Sequence, residues 1–298
     1  MMKTFKRASL SNKIFYITIT LILSLFFIAV LYPCIFVISA SFSESSAVQS
    51  GKVILWPVGF SLEGYKGVFS ASKIWIGFRN TIFYTVVGTV INLIFTVTTG
   101  YCMSRNDLPG RNIFMLYFTF TMFFSGGMVT NYLLMVNLGM INTIWAILIP
   151  GALGVYYVIV TKTFIQSSIP NELLEASQMD GCSDFMYYIR VVLPLSKSVI
   201  AVLVLFFGVG HWNAYFSALM YLHNEDMYPV TLFLREILML EKMDPSMITD
   251  PELQEKVLEM VGVLKYALIV VSSAPIIMLY PFVQKHFVKG VMIGSVKG

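Results

Sequence analysis

The sequence predicts an all-α integral membrane protein with six transmembrane helices. Three observations lead to this fold class: the composition, the spacing of charge-free segments and the distribution of basic residues between the loops. Of 298 residues, 57% are hydrophobic and only 12% are charged, roughly half the charged fraction of an ordinary soluble domain. A chain with so few polar side chains needs a lipid bilayer as its solvent. The small formal net charge of +4 indicates no nucleic-acid partner.

Two charge-free segments in the first third of the chain predict the first two spans. Thirty uncharged residues separate Lys13 from Glu44, more than the ~20 that a helix needs to cross the hydrocarbon core. A cleaved secretory signal is the alternative, because basic residues precede this segment and its sequence ISA resembles a cleavage site. The apolar part is too long for such a signal, so we expect a retained helix. The two spans are predicted at 14–42 and 81–103.

The fifty uncharged residues between Arg111 and Lys162 must fold back on themselves. A straight helix of that length would be about 75 Å long, against a hydrocarbon core of ~30 Å. The turn is predicted in the sequence NLGMINT, where Gly139 can end one helix and Asn142 or Thr143 can cap the next. Two further apolar runs lie nearer the C-terminus. The remaining four spans are predicted at 112–135, 143–165, 195–222 and 264–283.

The distribution of basic residues predicts the orientation of the six spans. If the N-terminus is cytoplasmic, the inner segments carry 12 basic and 5 acidic residues, whereas the outer segments carry 8 basic and 11 acidic residues. An excess of basic residues inside is what the positive-inside rule requires. The predicted parts are a cytoplasmic tail 1–13, a six-helix transmembrane domain 14–284 with a cytoplasmic loop 166–194 and an outer loop 223–263, and a cytoplasmic tail 285–298.

A polar stretch at 171–194, NELLEASQMDGCSDFMYYIRVVLP, lies within the predicted cytoplasmic loop. Pro170 favours a helix start and Gly181 a helix stop, which predicts a short helix between them. Glu172 and Glu175 share one face of that helix. The pattern alone is also compatible with a surface loop that is helical but has no particular role.

A second short helix is predicted directly after this one. Ser183 can cap its start, and Pro194 closes it just before the fifth span. Four apolar residues fall at helical spacing and predict a face that is ready to pack: Phe185, Tyr188, Ile189 and Val192.

The stretch starting at Glu175 carries a family motif. It reads EAS, three residues, Gly181, nine residues and VVLP, and it resembles the EAA signature E-A-A-x3-G-x9-I-x-L-P of permease subunits in binding-protein-dependent ABC importers. Ser177 replaces the second alanine and Val191 replaces the isoleucine, and both changes nearly preserve shape and polarity. The stretches LGMINTIWAILIP, GHWNAYFSALMYL and YPFVQKHFVKGVMIGSVKG are similar to the carbohydrate-uptake, maltose-type branch, especially its oligosaccharide permeases.

The resemblance implies a type I ABC importer transmembrane-domain fold in the bacterial cell membrane, with both termini cytoplasmic. In that family the EAA helix is a coupling helix that docks in a groove on a cytoplasmic ATPase dimer. The other implied partners are a homologous second permease subunit in a heterodimer, an extracellular sugar-binding lipoprotein, membrane lipid and an oligosaccharide substrate. The residues expected to couple to the ATPase are Glu172, Glu175, Ala176, Ser177, Asp180, Gly181 and Phe185.

We expect no catalysis, no cofactor and no metal ion in this chain. The sequence contains no G-x-x-x-x-G-K-[ST] phosphate loop, so ATP and Mg²⁺ are expected on the partner ATPase. His211, His223 and His286 are predicted to lie in a span, the outer loop and the inner tail, which argues against a histidine-centred site. The alternative is a membrane-embedded enzyme or a channel that is not coupled to an ATPase.

Polar and aromatic residues at membrane depth are the candidates for a substrate pathway, because their burial in lipid is costly. His211 and Tyr215 are expected on one helical face at i, i+4, and Gly126 and Gly127 are expected to form a close-packing pair. Helix–helix hydrogen bonding and an interfacial aromatic belt are the alternatives. The candidates are Asn131, Tyr132, His211, Trp212, Asn213 and Tyr215.

The outer loop 223–263 is far longer than a helix hairpin needs. Its sequence YPVTLFLREILML predicts a helix, and its many acidic residues suit a transient interface. The resemblance implies docking of the binding protein here, and a lid over the bundle is the alternative. The docking candidates are Glu241, Asp244 and Asp250.

Overall fold

The structure is a computed structural model that describes residues 9–240 and 262–278. The described residues are helices and connecting loops, with one isolated bridge between Ser43 and Phe60. They belong to two compact units. The described parts of the first unit are 9–71, 234–240 and 262–272, and those of the second are 72–233 and 273–278.

The helices are numbered in chain order. The first three are α1 Leu10–Ser41, α2 Ser45–Gln49 and α3 Glu63–Ser70. The next five are α4 Ser72–Ser104, α5 Arg111–Phe123, α6 Gly127–Asn137, α7 Trp145–Leu148 and α8 Val155–Ser168. They are followed by α9 Asn171–Met179, α10 Asp184–Tyr187, a π-helix Tyr188–Val192, α11 Leu193–Leu195, α12 Lys197–Asn213 and α13 Phe216–Tyr221. A 3₁₀ turn Glu225–Met227, α14 Val230–Leu240 and α15 Gly262–Met278 complete the described chain.

Helix α1 has the properties of a lipid-facing span. Ser9 caps its start by accepting a hydrogen bond from the Asn12 N–H at 3.4 Å. Its 32 residues extend over about 48 Å, more than the ~30 Å hydrocarbon core. Its most apolar 18 residues are all accessible, and the helix is buried only near its C-terminal end, at 39–41. There it packs within the first unit, in a cluster that contains Ala47 and Val53.

Helix α4 organises the second unit. It has 33 residues and packs against α8 and α12. Two glycines permit this close approach: a Cβ at Gly88 would lie 2.5 Å from the His211 ring, and one at Gly100 would lie 2.7 Å from Thr161. Next to these contacts, Val97 packs against a cluster from α12.

The third predicted span, 112–135, is not one straight helix. Helices α5 and α6 meet at an angle of 112°, and Gly127 has a φ of 77°, a conformation that ends a right-handed helix. Among the described residues, no atom lies within 4 Å of a Cβ built at Gly127. The prediction of a close-packing glycine pair is therefore wrong, because the pair forms a bend.

The fourth predicted span, 143–165, is also interrupted, by the segment between α7 and α8. Pro150 lies in that segment, where it lacks an N–H for a helical hydrogen bond. Gly139 follows the end of α6 with a φ of 65°, as predicted. Asn142 does not cap a helix: its φ is 58°, and its Oδ1 accepts the His223 N–H at 3.0 Å.

The fifth predicted span, 195–222, contains parts of three helices. The segment from α10 to α11 makes an angle of 78° with α12, and α12 ends at Asn213 because Ala214 is extended. The predicted i, i+4 relation between His211 and Tyr215 is therefore wrong. By length and composition, the described chain holds two helices that could each cross a membrane, or up to four spans if each bent pair counts as one. The number six remains a prediction, and the end of the sixth predicted span lies outside the described residues.

Candidate coupling and substrate sites

Helix α9 forms the centre of the predicted cytoplasmic loop 166–194, which we call the EAA loop. It ends in a complete Schellman motif at Gly181, whose φ is 75°. The Gly181 N–H donates to the Gln178 carbonyl at 3.0 Å, and the Cys182 N–H donates to the Ser177 carbonyl at 2.9 Å. A left-handed glycine with these two bonds stops a helix firmly. The predicted short helix is thus observed, with a rigid C-terminal end.

The predicted coupling residues form an accessible surface. Every residue of α9, which the structure describes in full, is exposed or half-buried. Among the predicted coupling residues Ser177 is half-buried, and its hydroxyl donates to the Leu174 carbonyl at 2.7 Å. The exposed ones are Glu172, Glu175, Ala176, Asp180, Gly181 and Phe185.

The apolar face predicted on the second short helix is only partly packed. Val192 is buried and Tyr188 is half-buried, whereas Phe185 is 70% exposed and Ile189 is 41% exposed. The chain changes from α- to π-helix at Tyr188, and the wider π turn shifts the angular spacing on which the predicted face depended. Ser183 caps this segment as predicted, because its Oγ accepts the Met186 N–H at 3.3 Å.

The opposite side of α9 is anchored by Leu174. This side chain packs, partly buried, on an apolar cluster beneath the helix. The buried members of that cluster are Tyr101, Ile165, Ile169, Tyr187 and Val192. The cluster joins α9 to α4 and α8, so that α9 is held in place while its acidic face stays free of the bundle.

Arg105, immediately after α4, is a site residue that the sequence interpretation missed. Its guanidinium donates to Asp184 Oδ1 at 2.9 Å, to Asp107 Oδ1 at 2.7 Å and to the Tyr101 hydroxyl at 3.0 Å. The Arg105 side chain is only 12% exposed. In the sequence, Arg105 is only one basic residue of a predicted inner loop. Its partner Asp184 is 79 residues away, so the pair is not apparent from the sequence.

Electrostatics favour the charged forms of Arg105 and Asp107. The hydrogen bond from Arg105 holds the pKa of the Asp107 carboxyl below its usual range. The hydrogen bond to Asp107 raises the pKa of Arg105 above its ordinary value, although burial opposes this shift. Arg105 therefore stays a cation at any physiological pH.

A cavity of 370 Å³ lies between α9, α8 and the end of α4, and we call it the EAA cavity. Arg105 lines one wall and Glu175 another, so groups of opposite charge border the same space. Gln166, also in its lining, donates to the Ser104 carbonyl at 3.1 Å. A lining that contains both charges can form charge-assisted hydrogen bonds to polar side chains that enter the cavity.

A second cavity, of 470 Å³, lies beside α12, and we call it the His211 cavity. His211 Nε2 and Asn92 Oδ1 are 2.6 Å apart, and Asn92 Nδ2 donates to the Gly151 carbonyl at 2.5 Å. This relay joins α12, α4 and the interrupted segment between α7 and α8. The aromatic residues in the cavity lining are Tyr157, Phe206, Phe207 and Tyr221.

The structure brings together only some of the predicted substrate residues. His211 lines the cavity, and Tyr132 stacks on Tyr221 of its wall with ring centroids 6.3 Å apart. Trp212 is buried in the protein. Asn131, Asn213 and Tyr215 are exposed and are not part of the lining. Asn92 was missed, although a polar side chain in the middle of a predicted span was a usable signal.

The start of the predicted outer loop is fixed to α4. Asn80 Nδ2 donates to the carbonyls of Asp226 and Tyr228 at 2.7 and 3.0 Å, and Thr81 Oγ1 accepts the Val230 N–H at 2.9 Å. The predicted helix of this loop is observed as α14. The docking candidates Glu241, Asp244 and Asp250 lie outside the described residues.

Two long apolar helices, a polar relay between α4 and α12 and a short exposed helix on an apolar cluster are the features of a membrane protein. Residues 74–293 match the family described as "Binding-protein-dependent transport system inner membrane component", and the chain belongs to this family. The predicted resemblance to permease subunits of binding-protein-dependent ABC importers and the predicted helical fold of such a permease are thereby confirmed. The number of six spans stays a prediction.

Three similar proteins refine this placement. The "Polygalacturonan/rhamnogalacturonan transport system permease protein YtcP" of Bacillus subtilis (strain 168) is 37% identical over 296 residues, covering 97% of this chain and 100% of the relative. Protein LplC of the same organism is 39% identical over 266 residues and 89% of each chain. The solved structure "Crystal structure of a bacterial ABC transporter involved in the import of the acidic polysaccharide alginate" has a TM-score of 0.85 and 33% identity, covering 94% of this chain and 99% of that chain.

Proposed function

We propose that this chain is the transmembrane permease subunit of an ATP-driven importer that moves an oligosaccharide into the cytoplasm by alternating access. The proposal includes coupling to a separate ATPase through α9. The observation that carries it is the geometry of this helix: an exposed acidic surface, anchored beneath by Leu174 and closed by the Schellman motif at Gly181. A helix that is packed on one side and exposed on the other can transmit a displacement by a bound partner to the helices beneath it.

The chemistry of α9 suits a protein interface. Glu172 and Glu175 are exposed carboxylates, which can form charge-assisted hydrogen bonds to basic residues of an ATPase. Ala176, also exposed, lets a partner backbone approach closely. We assign ATP and Mg²⁺ binding to the ATPase dimer and a transport role without catalysis to this chain.

The His211 cavity is the proposed contact point for the sugar in this subunit. Aromatic walls and a few hydrogen-bonding groups are typical of sites for polar organic ligands. One relative is named for polygalacturonan and rhamnogalacturonan transport, and one solved neighbour imports alginate. We therefore propose acidic oligosaccharides as the first candidates, delivered by an extracellular binding protein. A homologous second permease subunit is proposed to complete the pathway.

A matched pair of glycine variants tests the coupling role. Gly181 and Gly139 both have positive φ, and no described atom lies within 4 Å of a Cβ built at either position. Gly181→Trp and Gly139→Trp therefore carry a similar backbone cost of about 1–2 kcal/mol. Only Gly181 belongs to the EAA motif. We expect Gly181→Trp to abolish cellular uptake of labelled oligogalacturonide or alginate oligosaccharide, and Gly139→Trp to retain it.

Glu175→Lys provides an independent test of the same role. Reversing this charge should also abolish uptake, because the carboxylate would no longer attract a basic partner. Immunoblots of washed membranes control for insertion. Uptake at the parent rate in both Gly181→Trp and Glu175→Lys would show that α9 does not couple to the ATPase.

A further inference from the structure

Helix α4 is held at both ends by segments that are distant in sequence. At one end, Asn80 binds the carbonyls of Asp226 and Tyr228. At the other end, Arg105 binds Asp184. Asn80 lies on α4 and Arg105 directly follows it, 25 positions further on. This separation is about 37 Å at 1.5 Å per residue, which exceeds the ~30 Å hydrocarbon core. The two sets of contacts are therefore far enough apart to lie on opposite sides of a bilayer.

The contacts at the Asn80 end form a firm junction with the start of the predicted outer loop. Thr81 Oγ1 accepts the Val230 N–H at 2.9 Å, and the Tyr84 hydroxyl donates to the Met227 carbonyl at 2.9 Å. Both α4 residues are buried, so the backbone groups that they bind are shielded from competing water. A displacement of the segment 226–230 thus requires a displacement of α4, or the loss of several buried hydrogen bonds.

The contacts at the Arg105 end join α4 to the EAA loop. Asp107 is a local partner two residues away, whereas Asp184 lies in the first turn of α10, directly after α9 and its glycine stop. The Tyr101 hydroxyl fixes the guanidinium from α4 itself. The Arg105 side chain is 12% exposed and that of Asp184 is 68% exposed, so water still screens this pair in part. The pair is also a charge-assisted hydrogen bond, which is stronger than a neutral one.

We propose that α4 transmits conformational change between the outer loop and the EAA loop, and that Arg105 is the positioning residue that joins the EAA loop to α4. This inference rests on the proposed function, in which the EAA loop binds an ATPase. Because α4 is bound at both ends, a displacement of either loop is expected to displace the whole helix. The outer loop and the EAA loop therefore both influence the position of α4. Because linkage is reciprocal, nucleotide bound at the ATPase must alter the outer loop if the outer loop alters the ATPase.

The test uses a reporter cysteine on the outer loop. His223→Cys is placed in a chain whose three native cysteines are replaced, since the His223 side chain is exposed beside the Asn80 junction. The full complex is purified, and the labelling rate with a membrane-impermeant maleimide is measured without nucleotide and after trapping with ATP and vanadate. In the parent we expect the two labelling rates to differ about fivefold.

Substitutions in the Arg105 cluster then identify the link. Arg105→Gln and Asp184→Asn should each remove the nucleotide-dependent difference, and the double variant should be no worse than either, because both delete one interaction. Asp107→Asn is the matched control, because it removes the nearby carboxylate that also binds Arg105. In this variant the labelling rate should still depend on nucleotide. Arg105→Lys keeps the charge and should restore part of the difference, which a purely structural defect would not do.

The amount of ATPase that co-purifies with each variant separates this inference from the proposed function. A parent complex without ATPase would refute the proposed function itself. Two results would overturn the role of α4 when the ATPase is bound. The first is an equal labelling rate of the parent with and without trapped nucleotide. The second is an Arg105→Gln variant whose two labelling rates differ as much as those of the parent. Loss of the difference in Asp107→Asn as well would assign the effect to the local loop and would also overturn it.

Discussion

Single residues determine how closely the helices of this protein approach. At Gly88 the imidazole of His211 occupies the space where a Cβ would lie, 2.5 Å from that position. This approach places His211 Nε2 within 2.6 Å of Asn92 Oδ1. A polar relay inside a membrane protein therefore depends on a residue that has no side chain. Glycine is the residue type that permits such backbone contact between helices.

Gly88→Ala should destabilise the protein and disturb the His211 cavity. The added methyl group would overlap the His211 ring, and overpacking of this kind costs about 1–3 kcal/mol. Gly208→Ala on the facing helix is the matched control, since its nearest described neighbour, Thr89 Oγ1, would be 3.9 Å away. We expect Gly88→Ala alone to lower the melting temperature of the detergent-solubilised protein and to reduce uptake. Equal melting temperatures for both variants and the parent would refute this packing account.

At the scale of elements, the features that the sequence predicted are those encoded locally. Helices α1 and α4 follow from long apolar runs, and α9 follows from its start after Pro170 and its stop at Gly181. The breaks in the helices could not be predicted from hydropathy. Hydropathy does not report the left-handed backbone of Gly127 or the missing N–H of Pro150.

The candidate site was predictable to the same extent. The exposed EAA residues were found from a motif that is continuous in sequence. The Arg105–Asp184 and His211–Asn92 contacts join residues that are 79 and 119 positions apart. Charge and residue type can mark each of these four residues as unusual. Which residue contacts which is determined by the packing of α4 against the other elements.

The predicted outer loop 223–263 is the expected docking element for the binding protein. Deleting residues 241–252, which include Glu241, Asp244 and Asp250, should weaken association with the binding protein and the stimulation of ATP hydrolysis by loaded binding protein. The complex with the ATPase should remain intact, because the EAA loop is unchanged. The measurement is ATPase activity of the reconstituted complex with and without loaded binding protein.

A second variant separates loop length from charge. Replacing Glu241, Asp244 and Asp250 by their amides keeps the length of the loop. The replacement should weaken association in a salt-dependent manner if electrostatic complementarity drives docking. Stimulation equal to that of the parent in the deletion variant would exclude a docking role for this loop.

At the scale of the whole molecule, the chain has the surface of one part of a larger assembly. The most apolar 18 residues of α1 are all accessible, which is expected of a surface that faces lipid or another membrane protein. The acidic surface of α9 is exposed, and it is the surface that we propose contacts the ATPase. The chain aligns over 97% of its length with a permease protein and covers all of that relative.

The proposed function requires that this chain moves an oligosaccharide only when an ATPase drives it. The most direct measurement is accumulation of labelled oligogalacturonide or alginate oligosaccharide in proteoliposomes that contain this chain, its partner permease and the ATPase, with binding protein outside and ATP inside. We expect accumulation that requires both ATP and binding protein and is lost in Glu175→Lys. Sugar flux that is equal with and without ATP would contradict the account and would identify the protein as a channel.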